Sequence, residues 1–318
     1  MTDSPAVAAI VPTMNRAERL DAALASVFAQ TYRPLEAIVV DGGSTDRTPL
    51  VVSRYKKEYG DDRITYLRND EPQGLPAARN QAAAVTDATL LAFLDDDDRW
   101  HPEKLERQVA QFGAREYEIG LSYTGRVSRT ESGEHVHTVR PSVDGDTYCD
   151  LLVHNVIGSP SRVMVTNDAF DAVDGFDEEL KQQEDWDFYI RVAKEYEIGC
   201  IPDPMVTRLS HRGGMSADVT TQKAYGERLL NRYCSELRTH GVYNAAWASL
   251  HREAGIAYAQ SGNTAMGRRE LREALRYEPT LRGVVSYVFA LFGPFGFRLG
   301  TRIKRALERA RNRPTHEV

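Results

Sequence analysis

Four consecutive carboxylates, Asp95 to Asp98, directly follow the apolar run Leu90 to Leu94. A continuous apolar run of this length is typical of a strand buried on both faces. Carboxylates a few ångströms apart repel one another, so one pKa rises unless a cation is present. A divalent metal that carries a phosphorylated substrate would supply this cation. The pattern predicts a metal–diphosphate site at the end of a parallel strand, and an acidic turn that merely ends a strand is the alternative.

Alternating strands and helices surround this acidic turn. The apolar spacing predicts strands at 6–11, 35–40 and 64–68 and helices at 17–30, 48–59 and 74–85. Such alternation indicates βαβ units and a parallel sheet, in which ligands bind beyond the carboxyl ends of the strands. Thr13, Asp41 and Asp95 all fall at that edge, which favours a ligand site there over an isolated acidic turn.

A glycine-bearing turn, Asp41-Gly42-Gly43, follows the second predicted strand. Glycines adopt backbone conformations that are closed to other residues and allow a ligand to approach closely. The sequence contains neither GxGxxG nor GxxxxGK[ST], so it supports neither a standard dinucleotide fold nor a P-loop kinase.

Five sequence blocks resemble, in order and spacing, those of family 2 glycosyltransferases. The resemblance covers roughly residues 5–215. The blocks are Val11–Arg16, Val40–Thr48, Ala78–Ala82, Phe93–Trp100 with Pro102 and Lys104-Leu105, and Gln183–Phe188 with Arg191.

The resemblance implies a GT-A fold, which is an α/β fold with a mainly parallel sheet flanked by helices. It also implies a nucleotide-diphosphate sugar donor and a divalent metal, Mn²⁺ or Mg²⁺. The donor expected from the family is a UDP-sugar. The second acid of the family's base-binding turn is replaced here by Gly42, which leaves the nucleobase open. The residues expected to bind the nucleotide sugar are Pro12, Thr13, Asn15, Arg16, Asp41, Gly74, Arg79, Asp95 and Asp96.

Within this set, the motif match places Thr13 and Asp41 at the base and ribose, and Asp95 near the ribose. Asp97 is expected to be the main metal ligand, supported by Asp96 or Asp98. Arg79 either steadies the donor side or forms an ion pair on a helix surface. His211 lies after the last acidic block, where a histidine completes the metal shell in related enzymes.

The acidic block Glu184-Asp185 is expected to open a helix on the acceptor side. Acids in a first helical turn also favour the helix dipole, so a purely structural role is the alternative. Sugar transfer to a hydroxyl needs a base, and we assign this role to Asp185, with Glu184 or Asp187 shaping its field. A single displacement inverts the anomeric centre. The QxxRW motif of processive members is absent from the sequence, which favours addition of a single sugar.

The charge of the chain divides near residue 215. The chain has 318 residues and a net charge of −6, but residues 216–318 hold 17 basic and 9 acidic residues, a net of +8. We therefore expect a catalytic domain at 1–215 and a helical extension at 216–318. Residues 247–279 resemble one tetratricopeptide unit, for which a generic helical hairpin is the alternative.

The apolar stretch 284–297, followed by a basic segment, is too short to span a bilayer and suits its anionic surface. A core or dimer helix, and hence a homodimer, is the alternative. A lipid-linked or other glycan acceptor would explain a membrane location. Three widely spaced cysteines, with no signal peptide, fit the cytoplasm and the inner face of the membrane.

Two other function classes fit parts of the sequence. A nucleotidyltransferase also places carboxylates and a metal on an open sheet, but consumes a nucleoside triphosphate. A scaffold would bind partners through the helical extension and keep the sheet as a relic. Nucleic acid is not expected as a partner, because aromatic residues are not interleaved with the basic ones.

Overall fold

A computed structural model describes residues 4–113, 118–130, 132–210 and 218–296. The chain divides into two compact units, each considered by itself. They consist of Met1–Leu151 with Asn155–Gly214, and of Leu152–His154 with Met215–Val318.

Strands and helices alternate through the first part of the chain, as the apolar spacing predicted. The elements up to the acidic turn are β1 (Val7–Thr13), α1 (Ala17–Phe28), β2 (Leu35–Asp41), α2 (Thr48–Tyr59), β3 (Ile64–Arg68), α3 (Leu75–Ala83) and β4 (Leu90–Phe93). Those after it are β5 (Asp98–Trp100), α4 (Lys104–Phe112), β6 (Ile119–Thr130), β7 (His135–Val139), α5 (Tyr148–Val153), β8 (Val163–Thr166), α6 (Asn167–Ala172), α7 (Glu184–Glu195) and β9 (Glu197–Ser210).

The strands form one mixed sheet in the order β3-β2-β1-β4-β8-β6-β9-β5, with β7 paired to β6. The first four strands in this order are mutually parallel, and their register sets Thr13 opposite Asp41 and Ile10 opposite Phe93. Strands β1 and β4 consist entirely of buried residues, as expected for strands covered by helices on both faces. The expected α/β sheet with its polar carboxyl edge is confirmed.

The acidic turn connects two distant parts of this sheet. It leaves β4 beside β1 and enters β5, which pairs antiparallel with β9 at the other edge, with Asp98 opposite Arg208. Beneath the turn, four aromatic rings pack together, with Phe176 and Phe188 stacked at 4.4 Å and Phe93 edge-on to Phe176 at 5.2 Å. Phe170 completes the cluster. These contacts fix β4 against α7, so the two acidic blocks have a common rigid base.

The second unit is helical, as expected. Its described helices are α8 (Val219–Arg232), α9 (Cys234–Thr239), α10 (Tyr243–Gln260), α11 (Thr264–Tyr277) and α12 (Leu281–Leu291). The backbone leaves the helical conformation at Tyr233, which separates α8 from α9. Helices α10 and α11 pack closely because Gly255 has no side chain. A Cβ at this position would lie only 2.7 Å from the Leu271 side chain. Within the described residues, no helix is long and apolar enough to cross a membrane.

Candidate active site

Two turns meet at the carboxyl ends of β1 and β2. Asn15, at φ +53°, accepts a hydrogen bond from the Thr45 amide at 2.8 Å, and its own amide donates to Ser44 Oγ at 2.8 Å. Asp46 accepts from the Ala17 amide at 3.0 Å and from the Thr48 amide at 2.9 Å. Asn15 tolerates the left-handed conformation because its short polar side chain bonds locally. These contacts lock the two turns into one rim.

Asp41 is fully buried at this rim, and both of its carboxylate oxygens are engaged. Oδ1 accepts from the Ser44 amide at 2.8 Å, and Oδ2 accepts from the Tyr66 hydroxyl at 2.5 Å. Burial, and then the charge of Asp41, raise the pKa of Tyr66. The turn also needs Gly43, at φ +89°, because a Cβ there would lie 2.7 Å from the Asp70 carbonyl oxygen. Asp41 therefore shapes the turn that would face a base.

Asp96 connects the rim to the acidic turn. Its carboxylate accepts from Thr13 Oγ1 at 2.8 Å and pairs with Arg16 at 2.9 Å. Burial raises the pKa of Asp96 in spite of these two donors. Asp95 and Asp96 are both among the residues expected to bind the nucleotide sugar, and Asp96 is the one that bonds to Thr13. Pro12 is buried within β1, and Gly74, at φ +94°, precedes α3.

Arg79 is fully buried and joins the two acidic blocks. Its guanidinium pairs with Asp95 at 3.0 Å and with Glu184 at 3.1 Å, and lies over the Phe176 ring at 5.2 Å. Burial opposes its charge, but Asp95 and Glu184 raise the pKa of Arg79 overall. The alternative of an ion pair on the helix surface is therefore wrong. Asp95 and Glu184 are brought to one site although they lie far apart in the sequence.

A short turn, Ser159 to Ser161, completes the acidic site from the side of β8. Ser161 Oγ accepts from the Asp95 amide at 3.0 Å, and the Ser161 carbonyl accepts from Trp100 Nε1 at 2.8 Å. Ser159 Oγ donates to Asp95 at 3.4 Å and to Asp98 at 3.5 Å. Such a run of small residues is also typical of an ordinary turn. Its hydroxyls instead support the acids, which small-residue composition alone could not reveal.

Asp185 lies at the start of α7, as expected, and is partly buried. Its carboxylate accepts from the Trp186 amide at 2.7 Å and lies 3.5 Å from Asn155 Nδ2. Burial, and then the charge of Glu184, raise the pKa of Asp185 to about 7. A carboxylate with a pKa near neutral is a better base than an ordinary aspartate. Glu184 therefore shapes the field of Asp185, whereas Asp187 is buried against Arg191 at 2.8 Å.

No sequence pattern indicates a functional role for Tyr189, which lies one turn beyond Asp185 in α7. Its hydroxyl is buried without a hydrogen-bond partner in the described part of the chain. Burial, and then the charge of Asp185, raise the pKa of Tyr189. An aromatic residue at a helical core position looks the same in sequence whether or not its hydroxyl reaches a functional site.

The acidic turn has the oxygen donors that Mn²⁺ and Mg²⁺ prefer. Asp97 is partly exposed there, and Asp98 Oδ1 is buried with no hydrogen-bond partner among the described residues. Burial, and then the charge of Asp95, raise the pKa of Asp98 to about 7, and the negative charge of Asp97 raises it further. No three His, Cys, Asp or Glu side chains in the described ranges are arranged to hold a metal. His211 lies outside those ranges.

Comparisons with known proteins identify the family of this chain. The family model described as glycosyl transferase family 2 matches residues 8–162. A glycosyltransferase of Haemophilus influenzae is 30% identical over 68% of this chain and 73% of its own length. An Escherichia coli protein, UDP-Glc:alpha-D-GlcNAc-diphosphoundecaprenol beta-1,3-glucosyltransferase WfgD, is 37% identical over 34% of this chain and 41% of its own.

A solved structure extends the comparison to the fold. The mannosyltransferase PcManGT from Pyrobaculum calidifontis, in complex with GDP-Man and Mn²⁺, aligns with 96% of this chain and 81% of its own. The TM-score is 0.57 at 19% sequence identity, so the likeness concerns the fold alone. The extent and identity of the sequence matches show that this chain belongs to glycosyltransferase family 2, with a GT-A fold and a helical C-terminal part.

Proposed function

We propose that the protein transfers one sugar, with inversion, from a nucleotide-diphosphate sugar to an acceptor hydroxyl. The observation that carries the proposal is the buried Arg79, which ties Asp95 of the acidic turn to Glu184, the neighbour of Asp185. This contact supports a single centre with a donor side and an acceptor side. A donor bound along the rim of Thr13 and Asp41 would direct its diphosphate towards the acidic turn.

Asp185 acts as the general base in this proposal. It accepts the proton of the acceptor hydroxyl as that oxygen forms a bond to the anomeric carbon. The bond from the anomeric carbon to the diphosphate breaks at the same time, and the nucleoside diphosphate leaves with its electron pair. Because attack and departure occur on opposite faces, the anomeric configuration inverts. The buried Arg79 holds Glu184, and thereby α7, in position.

A divalent ion, Mn²⁺ or Mg²⁺, would offset the charge of the departing diphosphate when bound. Asp97 is the proposed ligand, with His211 and Asp98 in support. The excess of negative charge around Asp98 supports this assignment.

The proposed donor is a UDP-sugar and the proposed acceptor a glycan or lipid-linked saccharide, with the reaction on the cytoplasmic side. A UDP-sugar is the donor expected from the family resemblance. One of the relatives, WfgD, is named for a UDP-glucose donor and a diphosphoundecaprenol-linked acceptor. The spacing of the three cysteines supports the location.

A panel of UDP- and GDP-sugars tests the proposed reaction. We expect one donor to release its nucleoside diphosphate in an Mn²⁺- or Mg²⁺-dependent manner, and chelation to abolish release. Asp97→Asn should weaken metal-dependent donor binding about tenfold or more, which corresponds to ~1.4 kcal/mol. Titration calorimetry with and without metal measures this change.

The matched control is Asp87→Asn, which removes an exposed carboxylate beyond α3 and should bind donor like the wild type. Pyrophosphate release from a nucleoside triphosphate and a sugar phosphate would instead identify a nucleotidyltransferase. Absence of any nucleotide binding would favour the scaffold.

The raised pKa of Asp185 predicts a pH dependence in two quantities. We expect the transfer rate to rise with pH through about 7, because only the deprotonated carboxylate accepts a proton. The ordinary pKa of 3.8 applies to the unfolded chain, so the folded state binds this proton more tightly. The contribution of Asp185 to the free energy of unfolding therefore falls as pH rises from 3.8 to about 7.

Rate profiles and urea unfolding across this range measure both effects. Asp185→Asn should remove the part of the pH dependence of the free energy of unfolding that is due to Asp185. A transfer rate that does not change between about pH 5 and pH 8 would contradict the assignment of Asp185 as the base.

A further inference from the structure

Helix α12 packs with its small residues inward. Gly283, Ser286 and Ala290 are its buried residues, and Ala290 joins Ala259 and Leu271 in the core of the second unit. A Cβ on Gly283 would lie 2.9 Å from Leu275 Cδ2, so the helix approaches α11 closely. The inner face of α12 is therefore fully used in the packing of this unit.

The leucines and valines of the same helix are exposed, whereas Tyr287 and Phe289 pack against the core of this unit. Among the described residues, ten large hydrophobic side chains are exposed, and seven of them fall within 281–295. We call these seven the outer apolar face, and they recur at the three- and four-residue spacing of one helical stripe. They are Leu281, Val284, Val285, Val288 and Leu291 of α12, and Phe292 and Phe295 immediately after it. A concentration of exposed apolar groups of this kind marks an interaction surface.

The basic residues that flank this face indicate which kind of partner it binds. The sequence has no acidic residue between Glu278 and Glu308, whereas Arg282 and seven basic residues at 298–313 flank the outer apolar face. A second copy of the chain would bring like charges together around the apolar contact. An anionic lipid surface offers both an apolar layer for the side chains and opposite charge for the flanking residues.

We propose that the outer apolar face of α12 docks on an anionic phospholipid bilayer. The helix lies in the plane of the interface, with its apolar side chains among the acyl chains and its small-residue face against α11. This placement would bring the enzyme to the surface where a lipid-linked acceptor resides. The docking itself depends only on this helix and its flanking charge, and is independent of the proposed sugar transfer.

Vesicle flotation of the full-length protein tests the docking. The vesicles contain equal parts of phosphatidylethanolamine and phosphatidylglycerol, and phosphatidylcholine vesicles serve as the neutral comparison. We expect the wild type to float with the anionic vesicles and to be released by high salt. The double variant Val288→Gln/Leu291→Gln should need at least about tenfold more lipid for half-maximal flotation.

The matched control is Leu50→Gln/Val85→Gln, which replaces one exposed Leu and one exposed Val far along the sequence from α12. It should float like the wild type. Phe292→Ser/Phe295→Ser, with both side chains 64% exposed, provides a second test if the first variant has an altered circular dichroism melting curve.

Equal flotation of the α12 variants and the wild type would overturn the proposal, as would failure of the wild type to bind anionic vesicles. A wild-type dimer that dissociates in the α12 variants, without vesicle binding, would assign the face to a second copy. Retained nucleotide-sugar binding in these variants would separate loss of docking from loss of the proposed reaction.

Discussion

Asp185→Asn should reduce sugar transfer by about 10²–10⁴-fold while donor binding stays within twofold or so of the wild type. The amide has nearly the shape of the carboxylate, and its single oxygen can still accept a hydrogen bond from the Trp186 amide. It cannot take up the acceptor proton, and attack on the anomeric carbon then lacks its base. Single-turnover transfer and calorimetric donor binding, measured on the same preparation, distinguish the two effects.

Asp168→Asn is the matched control, because it removes an exposed carboxylate from the first turn of another helix, α6. It should leave transfer unchanged. Transfer by Asp185→Asn at the wild-type rate would remove the assignment of the base. Loss of donor binding together with transfer would instead place Asp185 on the donor side.

Arg79→Met should lower the free energy of unfolding of the catalytic part by about 3–5 kcal/mol and abolish transfer. The substitution leaves Asp95 and Glu184, two partly buried carboxylates, without their shared cation. Their repulsion then acts directly on the start of α7. Arg79→Lys should rescue little, because one ammonium group cannot replace two separate N–H contacts of a planar guanidinium. Urea unfolding followed by circular dichroism measures the change.

Arg54→Met provides the comparison. Arg54 pairs with Asp21 on the surface, where both side chains are about half exposed. Surface pairs contribute little because water and salt screen them, so the unfolding midpoint should remain that of the wild type. Similar unfolding midpoints for the two variants would show that the buried ion pairs of Arg79 contribute no more to the free energy of unfolding than a surface ion pair does.

The sequence predicted the first strands and helices, and the polar rim at the carboxyl ends of β1 and β2, because both depend on local sequence patterns. Apolar periodicity identified β1 to β4 and the helices between them, and the parallel sheet then brought Thr13 and Asp41 side by side. The acids of both blocks were also recognised, since carboxylates at strand and helix ends are visible in the sequence.

Contacts between distant segments could not be read in the same way. Arg79 and Glu184 are 105 positions apart, and their pairing depends on how α7 packs over β4. The different partners of Asp95 and Asp96, Arg79 and Thr13, could not be predicted for a similar reason, because neighbouring side chains in a turn point in directions that only the full backbone determines. Tyr66 was missed because an aromatic residue in a strand is far more often part of the core.

The pairing of β5 with β9 has a consequence for ligand binding. The acidic turn is held at one end by β4 and at the other by β5, so the backbone that carries its carboxylates is fixed at both ends by strand pairing. Their mutual repulsion is therefore imposed when the chain folds, before any substrate arrives. A divalent cation bound there, as proposed, would offset this repulsion, and its binding free energy would add to the stability of the folded state.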